Sequence, residues 1–377
     1  MFSSDPRLLL EPARVSCSRL ILFFPLVLGF AAPAWKIQYF YDQSQSALEI
    51  RDFKCPSAEH CVAAGVIDFA RRNPKNVVVL TFDGGANWSQ IDLKEQPQAL
   101  TFVDAQTGWL ATTAGVWGTV DGGRKWAKLA KLPGLEAICF LDQNRGFAAG
   151  YPKSAYATSD GGKTWTNIQA AAEPHTETQE TVYDFIAFSG GQHGFILGHS
   201  QKLRPGQPPA WLDPEPAQRR PPPPATRILI ETKDVGKTWK QFAKPGKSGL
   251  IQLAPGPKEN ALGLFDFPEF SESATEVRQL DLTTNAQADG FAAPDVLVTG
   301  MALFADEGIL AAVEAKGQLK GLPIPSKLVM LSSANLANWQ AMSVDYRAVA
   351  RRAMLSGPDS ETLWVATDTG MILKRGK

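Results

Sequence analysis

An eight-residue phrase recurs along the chain at a spacing that leaves few folds open. It reads TFDGGANW at Thr81–Trp88, TVDGGRKW at Thr119–Trp126, TSDGGKTW at Thr158–Trp165 and TKDVGKTW at Thr232–Trp239. SSANLANW, at Ser332–Trp339, keeps the Ser, the Trp and the spacing but loses the Asp. The Asp-to-Asp steps are 38 (Asp83 to Asp121), 39 (Asp121 to Asp160) and 74 (Asp160 to Asp234). A period of about 40 residues built from short strands is the signature of propeller blades. A second pattern runs ahead of the phrase. ALTFVD is followed by TGWLA, AICFLD by RGFAAG, FIAFSG by HGFILG and MALFAD by EGILAA. Each unit therefore predicts an inner strand ending in Phe, a turn, a second strand opened by Gly, a third strand, and a fourth that starts at the Trp.

The phrase itself reads as the hairpin between strands three and four. An Asp carboxylate there accepts backbone N–H bonds within the turn. Gly supplies the positive φ that a side chain resists. Trp inserts a ring between layers, and full burial of about 150–250 Å² would contribute at most about 4–6 kcal/mol. Asp83, Gly85, Trp88, Asp121, Gly123, Trp126, Asp160, Gly162, Trp165, Asp234, Gly236 and Trp239 are thus assigned structural roles. A calcium loop wants several carboxylates at alternating positions, and each turn offers one.

Counting units gives an all-β fold, a seven-bladed β-propeller of four-stranded antiparallel blades. The blades are expected at Leu48–Leu93, Gln98–Leu132, Leu135–Gln169, Thr181–Phe242, Gly249 to about Ala286, Val296–Val344, and from Tyr346 onward. An eighth blade would need structure hidden between Ala286 and Val296. The seventh lacks a fourth strand. WKIQYF, at Trp35–Phe40, begins with Trp as other fourth strands do, so the N-terminal strand is expected to close the last blade and cover its open edge.

The first 34 residues read as a signal peptide. Arg14 and Arg19 precede an apolar run at Leu20–Phe30, and Ala32 and Ala34 place small residues before a cleavage site. Eleven apolar residues are short of the roughly 20 that span a bilayer. An uncleaved anchor is the alternative. The mature chain, residues 35–377, is expected to be a soluble, extracytoplasmic (periplasmic or secreted) monomer. In an oxidising compartment Cys55 and Cys61, flanking a short turn, are placed to form a disulfide, while Cys139 reads as a buried free thiol. The formal net charge of zero gives no footprint for nucleic acid.

The S/T-x-D-x-G-x-x-W phrase resembles the Asp-box, or BNR repeat, of the sialidase-like superfamily. With the Phe-x-Asp and Gly-Trp/Phe patterns it is similar to the photosystem II stability/assembly factor family. That resemblance implies a non-catalytic binding, assembly or stability factor for a membrane or envelope protein complex, with a protein partner. The alternative it leaves is a glycan-binding protein or a sialidase-like glycoside hydrolase. Against the enzyme, no Arg-Ile-Pro motif is present, and Arg51 in EIRDF is a faint substitute. No cofactor or metal is expected; His193 and His199, in HGFILGH, have no carboxylate or Cys partner near them in sequence. A tight carboxylate pair beside an Arg cluster in the central channel would favour the enzyme, and a channel lined by small and apolar residues would favour the binding module.

Connections between strands two and three lie on the face opposite the Asp-box turns. Four read as elongated: residues 66–76 in blade one, the Pro-rich insertion 202–227 in blade four, 267–276 in blade five and 315–326 in blade six. Long loops on a rigid scaffold are where recognition lives. Arg71, Arg72, Trp211, Arg219 and Arg220 are the candidate partner-binding residues, and Arg351 and Arg352 add charge nearby.

Overall fold

A computed structural model describes residues 34–201, 225–246, 249–257, 259–266, 275–315 and 324–376. It is a seven-bladed propeller. Blade one comprises β2 (Ser46–Lys54), β3 (Cys61–Phe69), β4 (Arg72–Thr81) and β5 (Ser89–Leu93). Blades two and three follow with β6 (Pro97–Phe102) to β9 (Ala127–Ala130) and β10 (Leu135–Phe140) to β13 (Thr166–Asn167). Blade four holds β14 (Thr181–Ser189), β15 (His193–Ser200), β16 (Thr226–Thr232) and β17 (Lys240–Pro245). Blade five runs from β18 (Gly249–Pro255) through β19 (Asn260–Asp266) and β20 (Thr275–Asp281) to β21 (Gln287–Ala292). The segment considered for an eighth blade is thus the fourth strand of the fifth.

Blade six contains β22 (Val296–Leu303) to β25 (Gln340–Met342), with β24 (Ser326–Ser333) also pairing the short β26 (Val349–Ala350). Blade seven therefore starts later than expected, at β27 (Ala353–Ser356). It continues through β28 (Trp364–Thr367) and β29 (Met371–Arg375). Its fourth strand is β1 (Trp35–Phe40), antiparallel to β29 with Trp35 opposite Arg375 and Phe40 opposite Met371. The ring is closed by the N-terminal strand.

Burial falls from the inside of each blade outward. The second strands GWLAT and GFAAG are buried at every position, while the fourth strand AKLA is exposed or half-buried. Inner and second strands are sandwiched between neighbouring blades, so they read as continuous apolar runs rather than alternating ones. The Phe-to-Gly pattern has a steric cause. Phe102 pairs directly with Gly108 and Phe140 with Gly146. A Cβ on Gly108 would lie 2.5 Å from the Phe102 ring, and one on Gly146 2.6 Å from the Phe140 ring. The glycine is the seat of the aromatic ring across the ladder.

One sequence expectation fails in blade one. Residues 66–76 do not form a long loop. β3 and β4 run almost through the whole stretch, joined by a two-residue turn at Ala70 and Arg71. Its polar residues mislead because the hairpin projects beyond the blade, where exposed strand positions carry charge.

Candidate functional site

Because strands within a blade are antiparallel, the one-to-two and three-to-four turns emerge on one face. The two-to-three connections and the links between blades emerge on the other. The two faces have different chemistry.

On the first face the repeated turns are internally satisfied. Thr81 Oγ1 donates to Asp83 Oδ1 at 2.9 Å and accepts from Gly85 N at 3.0 Å. Asp83 Oδ1 accepts from Asn87 N, and Trp88 Nε1 donates to Gly85 O. The same bonds recur around Asp160 and Asp234; Asp121 repeats the bonds of its carboxylate and Thr119. Hydrogen bonds from Asn87 hold the Asp83 carboxyl down to about 2, and those from Thr238 do the same for Asp234. Gly84 and Gly85 have φ of 68° and 95°, the left-handed conformation the turn requires. In the fourth copy Val235 takes that conformation at φ 62°, a strained state for a β-branched residue. Trp88, Trp126, Trp165 and Trp239 are half-buried, so each gains less than full burial would give. In blade six Asn335 replaces the missing Asp one position nearer the Trp, accepting from Ser333 Oγ, Ala337 N and Asn338 N. Cys55 and Cys61 form a disulfide across the first turn of this face, and Cys139 is a half-buried free thiol pushed up to about 11 by burial.

The opposite face is less self-contained. Among the described residues five large apolar side chains are exposed: Phe40, Val120, Tyr151, Ile324 and Tyr346. Val120 belongs to a repeated turn of the first face; the other four lie at strand ends or connections of the opposite face. Arg71 and Arg72, from the projecting hairpin, line a small cleft with Phe69, Gln43 and Ser46. Trp211, Arg219 and Arg220, with most of the Pro-rich insertion, lie outside the described residues.

The centre of this face is polar, which the sequence reading did not anticipate. Six inner strands carry a register shift at an equivalent place, and the skipped residues are Arg51, Gln98, Glu136, Asp184, Ile251 and Thr299. A bulge re-aims a side chain out of the regular pleat. Here Glu136 and Asp184 are exposed and Arg51 and Gln98 half-buried, whereas Thr299 Oγ1 accepts from Ala353 N of blade seven and Ile251 packs between blades five and six. Arg51 Nη1 donates to Gln98 Oε1 at 3.4 Å. Arg352, just ahead of β27, donates from Nη2 to Arg51 O at 2.8 Å. Glu136 feels both Arg51 and Asp184, two and one blades away. Blade four and five add His199, whose Nδ1 is 3.6 Å from Asp184 Oδ2, and Arg227, which bonds to Asp266.

Burial raises the Glu136 and Asp266 carboxyls, and it pushes Asp184 up to about 6, with Asp266 adding to the shift and Arg227 opposing it. Burial and Arg227 lower His199, so it does not neutralise Asp184 near neutral pH. The sign follows for stability. An unfolded Asp ionises near ~4, whereas folded Asp184 holds its proton until about 6. The folding penalty is absent below ~4, grows through that window and is complete above it. Asp184→Asn is expected to raise the melting temperature at pH 7.5 and leave it unchanged at pH 3.5. The side chain keeps 47% exposure, so screening limits the gain to under about 1 kcal/mol. Calorimetry at the two pH values checks this; an equal gain at both would assign the effect to packing.

His193 and His199 sit at opposite ends of β15, and each has the carboxylate neighbour that the sequence did not reveal. His193 lies between Glu231, at 2.6 Å, and Glu259, at 3.4 Å. Among the described residues no group of three or more His, Cys, Asp or Glu is arranged to hold a metal. No helix there is long and apolar enough to cross a membrane.

No family model and no curated protein matches the sequence. Solved structures do match in fold. A structure of YCF48 bound to a D1 peptide superposes with a TM-score of 0.58 at 16% identity, covering 92% of this chain and 98% of that one. YCF48 from Cyanidioschyzon merolae gives 0.55 at 14% identity over 91% and 98%. An ancestral GH74 enzyme gives 0.51 at 10% identity; 90% of this chain matches 47% of that one. At these identities the likeness establishes the propeller and nothing finer.

Proposed function

We propose that the chain is a non-catalytic, extracytoplasmic propeller that binds a segment of a protein partner and serves the assembly or stability of a membrane or envelope complex. The observation that carries this reading is the asymmetry of the faces. One face closes its polar groups on itself. The other exposes four of the five large apolar side chains that are exposed among the described residues. Exposed apolar groups concentrated on one side of a rigid scaffold mark a protein-binding surface. The structural likeness to a YCF48 propeller that carries a D1 peptide, and the repeat's resemblance to the photosystem II assembly factor family, support the same reading.

The test is affinity capture from the detergent-solubilised envelope of the native host, with the full chain beside a Tyr346→Ser/Ile324→Ser variant. A stoichiometric protein partner is expected on the full chain, reduced at least fivefold by the variant. A partner held equally by both moves the site off this face. No partner on the folded chain overturns the reading.

One observation favours a second reading, a glycan-binding protein or glycoside hydrolase. Asp184 and Asp266 are carboxyls with raised pKa flanking Arg227, and a raised carboxyl opposite a second one is how such enzymes supply their acid. Turnover of aryl glycosides by the wild type and its loss in Asp184→Asn would establish that reading.

A further inference from the structure

The charges around the channel mouth are sorted, and the sorting specifies a ligand. Arg352 and Arg51 come from blades seven and one, Glu136 and Asp184 from blades three and four. Thr299 and Ile251, from blades six and five, leave an uncharged gap on one side, and Gln98 leaves another on the other side. In a ring of seven, blades three and four lie across the opening from blades seven and one. The mouth is therefore polarised, cationic on one rim and anionic on the other.

Neither rim is used up by the fold. Asp266 is tied to Arg227, and Arg351 to Asp368 at 2.7 Å. Glu136 makes no ion pair among the described residues, and the only one Asp184 makes there is with His199. Arg51 is only partly engaged: its Nε lies 3.3 Å from Glu49 Oε1 in a pair about one-third exposed, and its Nη1 donates to Gln98 Oε1 at 3.4 Å. Glu136, Asp184 and Arg352 are exposed and Arg51 half-buried, the first two and Arg51 at strand bulges and Arg352 just ahead of β27. Opposed charges that face each other across a gap without meeting are complementary to something that fills the gap.

We propose that the channel mouth is a polarised socket for an extended segment of the partner, taking a Lys or Arg side chain against Glu136 and Asp184 and an acidic side chain against Arg51 and Arg352. This rests on the reading of this face as a protein-binding surface, and it adds the charge order of the segment. A peptide of one sign meets one attractive rim and one repulsive rim, so the socket rejects it as well as failing to hold it.

The experiment uses three fluorescein-labelled Gly/Ser-based dodecapeptides and anisotropy on the full chain at low salt. One peptide carries two Lys near one end and two Glu near the other; one carries four Lys; one carries four Glu. The mixed peptide is expected to bind at least fivefold tighter than either single-sign peptide, and 0.5 M salt should remove the difference. Glu136→Gln/Asp184→Asn should make the all-Glu peptide the preferred one. Arg51→Gln/Arg352→Gln should make the all-Lys peptide the preferred one. The carboxylate changes are isosteric and the Arg→Gln changes shorten the side chain at partly exposed positions, and melting curves confirm that each variant is folded. Equal binding of all three peptides, or unchanged preferences in folded double variants, would overturn the socket. Capture of the native partner separates the two proposals. A partner bound equally by wild type and both double variants leaves the protein-binding role standing and removes the socket. Failure to capture any partner removes the role itself.

Discussion

Trp35→Ala is expected to destabilise the protein by about 3–5 kcal/mol, the cost of deleting a fully buried aromatic side chain. Trp35 has no exposed surface and packs in the seam between blades six and seven with Ile309, Met330, Leu363 and Val365. Its indole Nε1 donates to Met342 Sδ at 3.3 Å. The main chain around it ties three parts of the ring. Trp35 N donates to Ser343 O, Asp345 N donates to Trp35 O, and Gly376 N donates to Ala34 O. β1 therefore does more than add a strand to blade seven; it also joins the outer edge of blade six. Removing the indole leaves a cavity at the place where the two ends of the chain meet, and a ring has no redundant closure. For a domain of this size the melting temperature should fall by roughly 5–10 °C. The control is Phe40→Ala at the other end of the same strand. Phe40 is 51% exposed, so its loss should cost under about 1 kcal/mol. Calorimetry of the two variants decides the matter. Equal losses, or none from Trp35, would mean that β1 is docked on a ring already closed without it.

Closure by β1 was legible because the last blade is visibly one strand short and WKIQYF carries the Trp that starts other fourth strands. The repeated turns were legible because each bond they need is made within eight residues. The Asn335 substitution was not, since the turn shortens by one residue and the phrase no longer aligns. The channel mouth was missed for a different reason. Its residues stand at the margin of the aligned strands: Gln98 directly before ALTF, Glu136 before AICF, Asp184 before FIAF. An alignment anchored on the apolar strand stops just short of them. A polar residue at that margin reads as a strand end, and only the bulge beneath it turns it into a channel wall. The His193–Glu231–Glu259 contact was illegible outright, because it joins two strands of blade four to the first turn of blade five. The elongated loop in blade one erred the other way: charge and Pro74 suggested a loop where the strands continue.

The remaining large effect concerns the loop from Cys55 to Cys61. Replacing both cysteines by Ser is expected to cost about 2 kcal/mol, the chain entropy released when a short closed loop is opened in the unfolded state. The loop's contacts make the loss matter to the ring. Lys374 Nζ donates to Ala58 O at 3.2 Å and to Gly84 O at 3.3 Å, and Cys55 N donates to Ser356 Oγ at 2.8 Å. On its other side His60 Nε2 is 2.9 Å from Gly122 O, and its ring stacks on Phe82. The loop thus reaches blade seven and blade two from blade one, next to the seam that β1 and β29 complete. A thiol reductant should lower the melting temperature of the wild type by the same amount as the double substitution and leave the variant unaffected. Cys139 does not complicate the comparison, because burial keeps its thiol protonated and unreactive. If the double variant melts with the wild type, the hydrogen bonds alone hold the loop, and the cysteines carry no stability. If it melts lower and reductant reproduces the shift, the ring depends on an oxidising environment for part of its stability. That dependence would support the extracytoplasmic location proposed above, since disulfides persist in oxidising compartments.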